Sequence, residues 1–201
     1  MDEDVVAVAA RDPVLAAAVA RWGVPPRWPR EPGFVTLVHL VLEQQLSLDA
    51  ARAHLEALRR ACGGALTPAS VLALDDATLR GAGVSRQKTR YLRDLAGRVT
   101  TGRLDLPGLA DLPDDAARAG LTAVLGIGAW TADCYLLFAL DRPDVLPAGD
   151  LALQEAVREL DGAATRPGPA ALVRRAEPWR PHRSAASRIL WHHYLSVRGR
   201  A

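Results

Sequence analysis

Two short stretches carry residue types whose spacing could do chemistry together. The first is Gly126-Ile127-Gly128, set between two amphipathic patterns. Two glycines around one apolar residue allow a tight hairpin, and without Cβ atoms they let an anion approach the backbone. The N–H groups that open the following helix, from Ala129 to Thr131, would face such an anion with the favourable end of the helix dipole. Ile127 would point inward and pin the turn. A plain helix–helix turn has the same appearance, because glycine is common in turns. The second stretch is Pro147-Ala148-Gly149-Asp150, which ends where a new helical pattern begins. Asp is a favoured N-cap, and capping alone would account for it. A carboxylate at a helix N-terminus also has its charged form favoured by the dipole and by N–H donors. Such a group can stabilise an oxocarbenium-like sugar cation or orient a water, as the second carboxylate does in glycoside hydrolysis. The two roles can coexist.

The elements that must position these residues read as helices. Apolar residues recur at three- and four-residue spacing over 12–22, 34–62, 68–74, 75–82, 85–100, 113–124, 131–139, 151–160, 169–176 and 184–197. Thr67-Pro68, Asp75, Ser85 and Asp150 mark helix starts, and Gly63-Gly64, Gly81, Gly102 and Gly162 mark stops. No stretch alternates with period two for a strand's length, so the fold class is all-α. Residues 25–32 and 101–112 read as ordered loops anchored by Trp28 and Leu106.

Composition sets the outer bounds. The chain has 201 residues, 49% hydrophobic and 24% charged, which suits a folded globular protein. Net charge is only +2, but arginine is dense over 80–103 and 166–200, and local clusters matter more than totals for binding a polyanion. Cys62 and Cys134 cannot build a metal cluster alone and suggest no disulfide framework. The acidic start lacks the positive flank of a signal peptide, and no apolar run reaches the ~18 residues of a membrane span. A cytoplasmic location is expected, without membrane association.

Hairpin, helix and Pro-x-Gly-Asp loop together resemble the helix-hairpin-helix (HhH-GPD) DNA glycosylases. The resemblance implies that the hairpin grips a phosphate through amides of Gly126, Gly128 and Thr131, and that Asp150 acts on the N-glycosidic bond of a flipped-out base. It also implies a Na⁺ or K⁺ held by the carbonyls of Thr122, Leu125 and Ile127, with no other cofactor. Bifunctional members carry a Schiff-base lysine two residues after the second hairpin glycine. Trp130 stands there, and Lys88 is the only lysine. The four cysteines of the iron–sulfur branch are absent as well. What remains is the alkylation-repair branch, similar to 3-methyladenine DNA glycosylase II.

Three further segments carry the resemblance. Leu42-Glu-Gln-Gln-Leu-Ser-Leu48 looks like the family's gap-filling helix–loop, with Gln45 as wedge and Gln44 and Ser47 beside it. Gly83-Val-Ser-Arg-Gln-Lys-Thr-Arg-Tyr91 matches a Gly-x-Ser-x-x-Lys-x-x-Tyr motif, in which Ser85 would cap a helix, Tyr91 pack and Lys88 reach phosphate. Trp179 through Trp191 resembles the C-terminal helix. Trp130 and Trp191 fall at base-pocket positions, where aromatic faces suit electron-deficient alkylated bases. Cys134 and Leu151 fall where the bacterial inducible enzyme has aromatics, and Gly149 replaces its usual acidic residue. His192 and His193 read as surface or core residues at the end of the last helix. The implied architecture is an N-terminal extension (1–33) packed on the glycosylase domain (34–201), without the β-rich N-terminal domain of that enzyme. Two helical lobes, about 34–140 and 141–201 with the N-terminal segment, would hold a cleft between them. The expected activity is that of a monomeric, monofunctional glycosylase for alkylated bases in double-stranded DNA. Excision of uracil or hypoxanthine, or a non-catalytic DNA-binding module, are the alternatives.

Overall fold

The computed structural model describes residues 2–200. Among them every regular element is helical, as the periodicity predicts. The chain divides into two compact units, one formed by the N-terminal stretch through Pro29 together with the chain from Asp141 onward, the other by Arg30–Leu140.

The middle unit contains α3 (Phe34–Glu43), α4 (Leu48–Ala61), α5 (Pro68–Ala73), α6 (Asp76–Gly81), α7 (Arg86–Thr100), α8 (Asp114–Thr122) and α9 (Ala129–Phe138). Its centre is set by α3 and α9, both apolar on nearly every face. Such helices can only be interior, and α3 packs against α4, α7 and α9. In α9 every residue from Thr131 to Leu137 is buried. The outer helices α4 and α7 are amphipathic and bury Leu55 and Leu58, and Leu92 and Leu95, respectively. Asp75 and Ser85 cap α6 and α7, and Thr67 with Ser70 forms a capping box on α5.

The other unit is built from α1 (Glu3–Ala9), α2 (Pro13–Trp22), α10 (Leu151–Leu160), α11 (Pro169–Arg175) and α12 (Arg183–Val197). Its core gathers Val5, Leu15, Leu153, Val157, Trp179 and Ile189 around α12. Buried polar pairs fix its N-terminal helices. Asp2 pairs with Arg188 at 2.8 Å. Asp12 caps α2 and also accepts the Trp179 indole N–H at 2.7 Å and an Arg175 N–H at 2.5 Å. Burial alone would raise the Asp12 pKa, but these two donors and the Arg175 charge hold it below the ordinary carboxylate value.

The structure departs from the periodicity in three places. The pattern over 34–62 is two helices, interrupted by Gln44–Ser47, because Gln45 adopts a left-handed backbone with φ +60°. The acidic start forms α1, capped by Asp2. Within 101–112, Pro107–Asp111 makes a 3₁₀ turn that buries Leu109.

Candidate functional site

In the middle unit, α8 ends at Thr122 and the chain turns through Ala123–Gly128 into α9. Gly126 is left-handed (φ +82°), and a Cβ placed on it would stand 2.2 Å from the Tyr91 ring. Glycine is therefore demanded twice, by conformation and by the aromatic floor beneath it. Gly128 is extended, and a Cβ there would meet nothing. It opens α9 without a side-chain cap, which suits amide donation to an external anion. Ile127 is buried, as its inward role requires, and Leu125 is exposed. Among the described residues no hydrogen bond reaches the carbonyls of Thr122, Leu125 or Ile127, whereas those of Leu121, Val124 and Gly126 accept Val124 N–H, Ile127 N–H and the Gln44 amide. Those three carbonyl oxygens are hard donors of the kind a Na⁺ or K⁺ takes.

Lys88, Tyr91 and Asp94 follow one another at three-residue spacing along one face of α7. Lys88 donates from Nζ to the carbonyls of Leu42 (2.7 Å) and Gln44 (2.8 Å), which end α3. Two of its three ammonium donors thus meet carbonyls left open by the helix end, and partial burial lowers its pKa. Asp94 accepts the Leu125 N–H at 2.8 Å and Arg98 Nε at 2.8 Å. Burial raises its pKa, but these donors bring it below the usual value. Sequence reading missed Asp94, although its step of three from Tyr91 was the available signal.

Gln44 is likewise directed inward. Its Nε2 donates to the Gly126 carbonyl at 2.9 Å and to Thr131 Oγ1 at 3.1 Å, and Thr131 is 2% exposed. The side chains of Gln44 and Thr131 thus join loop to hairpin. Gln45 stands exposed at the tip, with Leu46 and Leu48 also exposed. A non-glycine residue held left-handed costs about 1 kcal/mol and persists only where its surroundings impose it. Ser47 caps α4 by accepting the Ala50 N–H. Trp130, in the first turn of α9, is half-buried, and Cys134 lies one turn further on and is buried.

Asp150, Leu151 and Trp191 belong to the other unit. Asp150 is 9% exposed, and its Oδ1 accepts the N–H groups of Ala152 (2.8 Å) and Leu153 (3.0 Å) at the start of α10. The approach to it is fixed by Asp150 N–H donating to the Pro147 carbonyl and by buried Gln154, whose Nε2 donates to the Ala148 carbonyl at 2.8 Å. A Cβ on Gly149 would meet nothing, so the fold does not require glycine there. Leu151 is 61% exposed, and Trp191 lies half-buried against this unit's core. His193 is buried and structural. Its Nδ1 accepts the Trp22 indole N–H at 3.1 Å, which leaves Nε2 to carry the proton donated to Glu159 at 3.1 Å. His192 is half-buried beside it.

The two arginine-rich stretches differ in how far their charges are paired. Over 166–200, Arg175, Arg180, Arg183, Arg188 and Arg198 all pair with carboxylates. Over 80–103, Arg93 and Arg98 do so. Arg80, Arg86, Arg90 and Arg103 are exposed, so arginine density reports ion pairing over 166–200 and a partly open cationic face over 80–103.

Known proteins share this architecture. A structure of DNA-3-methyladenine glycosidase from Bacillus halodurans is 33% identical, covers 98% of this chain and 91% of its own, and has a TM-score of 0.83. The Schizosaccharomyces pombe 3-methyladenine DNA glycosylase in complex with abasic DNA is 25% identical, with a TM-score of 0.88, and the match covers 98% of this chain and 97% of that one. In sequence, DNA-3-methyladenine glycosylase 1 of Schizosaccharomyces pombe is 30% identical over 81% of this chain and 72% of its own length. A putative DNA-3-methyladenine glycosylase of Bacillus subtilis is 28% identical over 77% of this chain, which spans only 56% of that protein. The family model for HhH-GPD superfamily base excision DNA repair proteins matches residues 38–181, and the chain belongs to that superfamily.

Proposed function

We propose that this protein is a monofunctional DNA glycosylase that hydrolyses the N-glycosidic bond of alkylated bases, of the 3-methyladenine and 7-methylguanine type, in duplex DNA. The observation that carries the reading is Asp150, a nearly buried carboxylate fixed by the amides that open α10, in a chain similar to proteins named for this activity. Duplex would be gripped at the amides of Gly126, Gly128 and the first turn of α9, with a monovalent cation on the carbonyls of Thr122, Leu125 and Ile127. Binding would weaken with salt as phosphate contacts release counterions. Gln45 fills the gap left by the extruded nucleotide, and Trp130 and Trp191 each offer an indole face on which an electron-deficient base can stack.

The chemistry asks little of the protein beyond a placed negative charge. An alkylated base is already cationic, so when the bond from C1′ to the base nitrogen breaks, its electron pair neutralises the leaving group and no strong general acid is needed. Asp150 faces the sugar cation that develops and accepts a proton from the water that adds to C1′. The products are the free base and an abasic site. With Trp130 where a lyase would carry its lysine, no Schiff base forms and the strand stays intact. Among the described residues no helix is long and apolar enough to cross a membrane.

Gly149 and Cys134 favour a second reading of substrate range, toward uracil or hypoxanthine, since neither is the residue of the inducible enzyme. A panel of duplexes with single lesions tests both. Release of 3-methyladenine or 7-methylguanine supports the proposal, and preference for deaminated bases moves the substrate. Release of no base from any of them leaves only a DNA-binding module.

A further inference from the structure

The hairpin and the gap-filling loop are distant in sequence but belong to one chain of polar bonds. Lys88 holds the carbonyls of Leu42 and Gln44, and the Gln44 side chain in turn holds the Gly126 carbonyl and Thr131 Oγ1. Two further contacts from α7 reach the hairpin directly, the Tyr91 ring under Gly126 and the Asp94 carboxylate on the Leu125 N–H. A single face of α7 therefore supports the backbone of both loops. Gln45, the next residue after the one Lys88 pins, is held left-handed at the exposed tip.

We infer that Lys88 is a positioning residue for base extrusion: by clamping the Gln44 carbonyl it registers the Gln45 tip against the phosphate-gripping hairpin, so that gripping the strand and filling the gap occur as one event. This rests on the glycosylase reading given above. Three facts argue for registration rather than simple packing. The ammonium donates to two carbonyls at the end of α3, where the chain leaves helical geometry. Gln44 has its backbone in one contact and its side chain in the other, so it cannot move in one without disturbing the second. The left-handed Gln45 needs an outside constraint to stay as it is.

The test compares one alkylated base placed opposite its normal partner with the same base inside a short mismatched bubble, where extrusion needs no wedge. For Lys88→Met, the ratio of single-turnover rates, paired over bubble, should fall by about tenfold or more relative to wild type, since small misplacements of positioning groups carry effects of that size. Loss of both rates in equal proportion indicates a merely structural role and overturns the inference, as does an unchanged ratio. If Lys88→Met does not fold, Gln44→Leu cuts the same chain at its hairpin end and must produce the same fall. Should wild type release no base at all, the glycosylase reading fails and registration is judged without DNA. The Leu46 amide, bonded to the Glu43 carbonyl, should then exchange its hydrogen about tenfold faster or more in Lys88→Met, and unchanged exchange overturns the inference.

Discussion

The loop that ends at Asp150 and the loop that carries Gln45 each lead into a helix through a polar cap, Asp150 for α10 and Ser47 for α4. The capping bonds of the one and the tethering bonds of the other differ in range. As a helix cap Asp150 works locally: it accepts the amides of Ala152 and Leu153, and its own N–H donates to the Pro147 carbonyl. The bonds on Gln44 come from Lys88, Gly126 and Thr131, between 44 and 87 residues away. A loop placed by distant side chains shares the fate of each of them.

The largest expected effect probes the local arrangement. Asparagine caps a helix about as well as aspartate, so Asp150→Asn should keep the melting temperature and DNA affinity nearly intact. It removes the charge facing the developing sugar cation, and base release in single-turnover assays should fall by about 10³-fold. A fall in DNA affinity of similar size would show that Asp150 organises more than its own loop, breaking the contrast.

Asp12 combines both kinds of contact and separates their weights. Locally it caps α2 through Val14 and Leu15, and at long range it holds Arg175 and Trp179. Asp12→Ala removes the cap, leaves the buried Trp179 indole N–H without its acceptor and leaves the Arg175 guanidinium to Asp161 alone, which should cost about 3 kcal/mol in chemical denaturation. Asp12→Asn keeps the cap and loses the charge, and should recover about 1 kcal/mol of that. Equal losses in the two variants would mean that the cap contributes nothing.

The hairpin glycines make a smaller and sharper comparison. Gly126→Ala places a methyl into the Tyr91 ring at a left-handed position and should destabilise by about 2 kcal/mol. Gly128 is neither left-handed nor crowded, so Gly128→Ala should cost only a few tenths of a kcal/mol while weakening duplex binding, because the methyl stands where phosphate would approach. Similar stability losses in the two would contradict the geometry.

What was legible in the sequence follows the same division. The helices, their caps at Thr67, Asp75, Ser85 and Asp150, and the inward Ile127 rest on periodicity and local hydrogen bonding, and those are present in any short window. The carbonyls that Lys88 meets were not legible, because an ammonium in a motif gives no sign of its acceptors, and these lie more than forty residues away. The break at Gln44–Ser47 was blurred for a related reason: Gln45 has no intrinsic preference for φ +60°, and tertiary bonds impose it. Arg175 and Arg188 looked like a cationic surface because their partners, Asp12 and Asp2, sit at the other end of the chain.

The smallest effect is a pH dependence that sets a local imidazole against a long-range one. His193 is wedged between Trp22 and Glu159, and burial, aided by Arg21 and Arg198, lowers its pKa against the pull of Glu159. His39 is lowered mainly by burial too, with Glu43 opposing and Arg30, Arg52 and Arg59 assisting. A group depressed in the folded state contributes stability that is complete above its unfolded pKa, about 6.5 for histidine, and is lost as pH falls through the folded value. The carboxylates Asp2, Asp12 and Asp94, also depressed, lose their contribution only in the carboxylate range near 4 and below, outside a scan from pH 7.5 to 5. Within that scan the melting temperature should drop by a few degrees at most. His193→Gln should remove most of the drop, because protonating His193 must put a hydrogen on the nitrogen that accepts the Trp22 N–H. His39→Gln should remove less. Its Nε2 lies 3.4 Å from a Glu43 oxygen without forming a hydrogen bond, so protonation breaks none there and gains an ion pair one helical turn away. A larger change from His39→Gln would mean that the local pair, and not the long-range one, sets the slope.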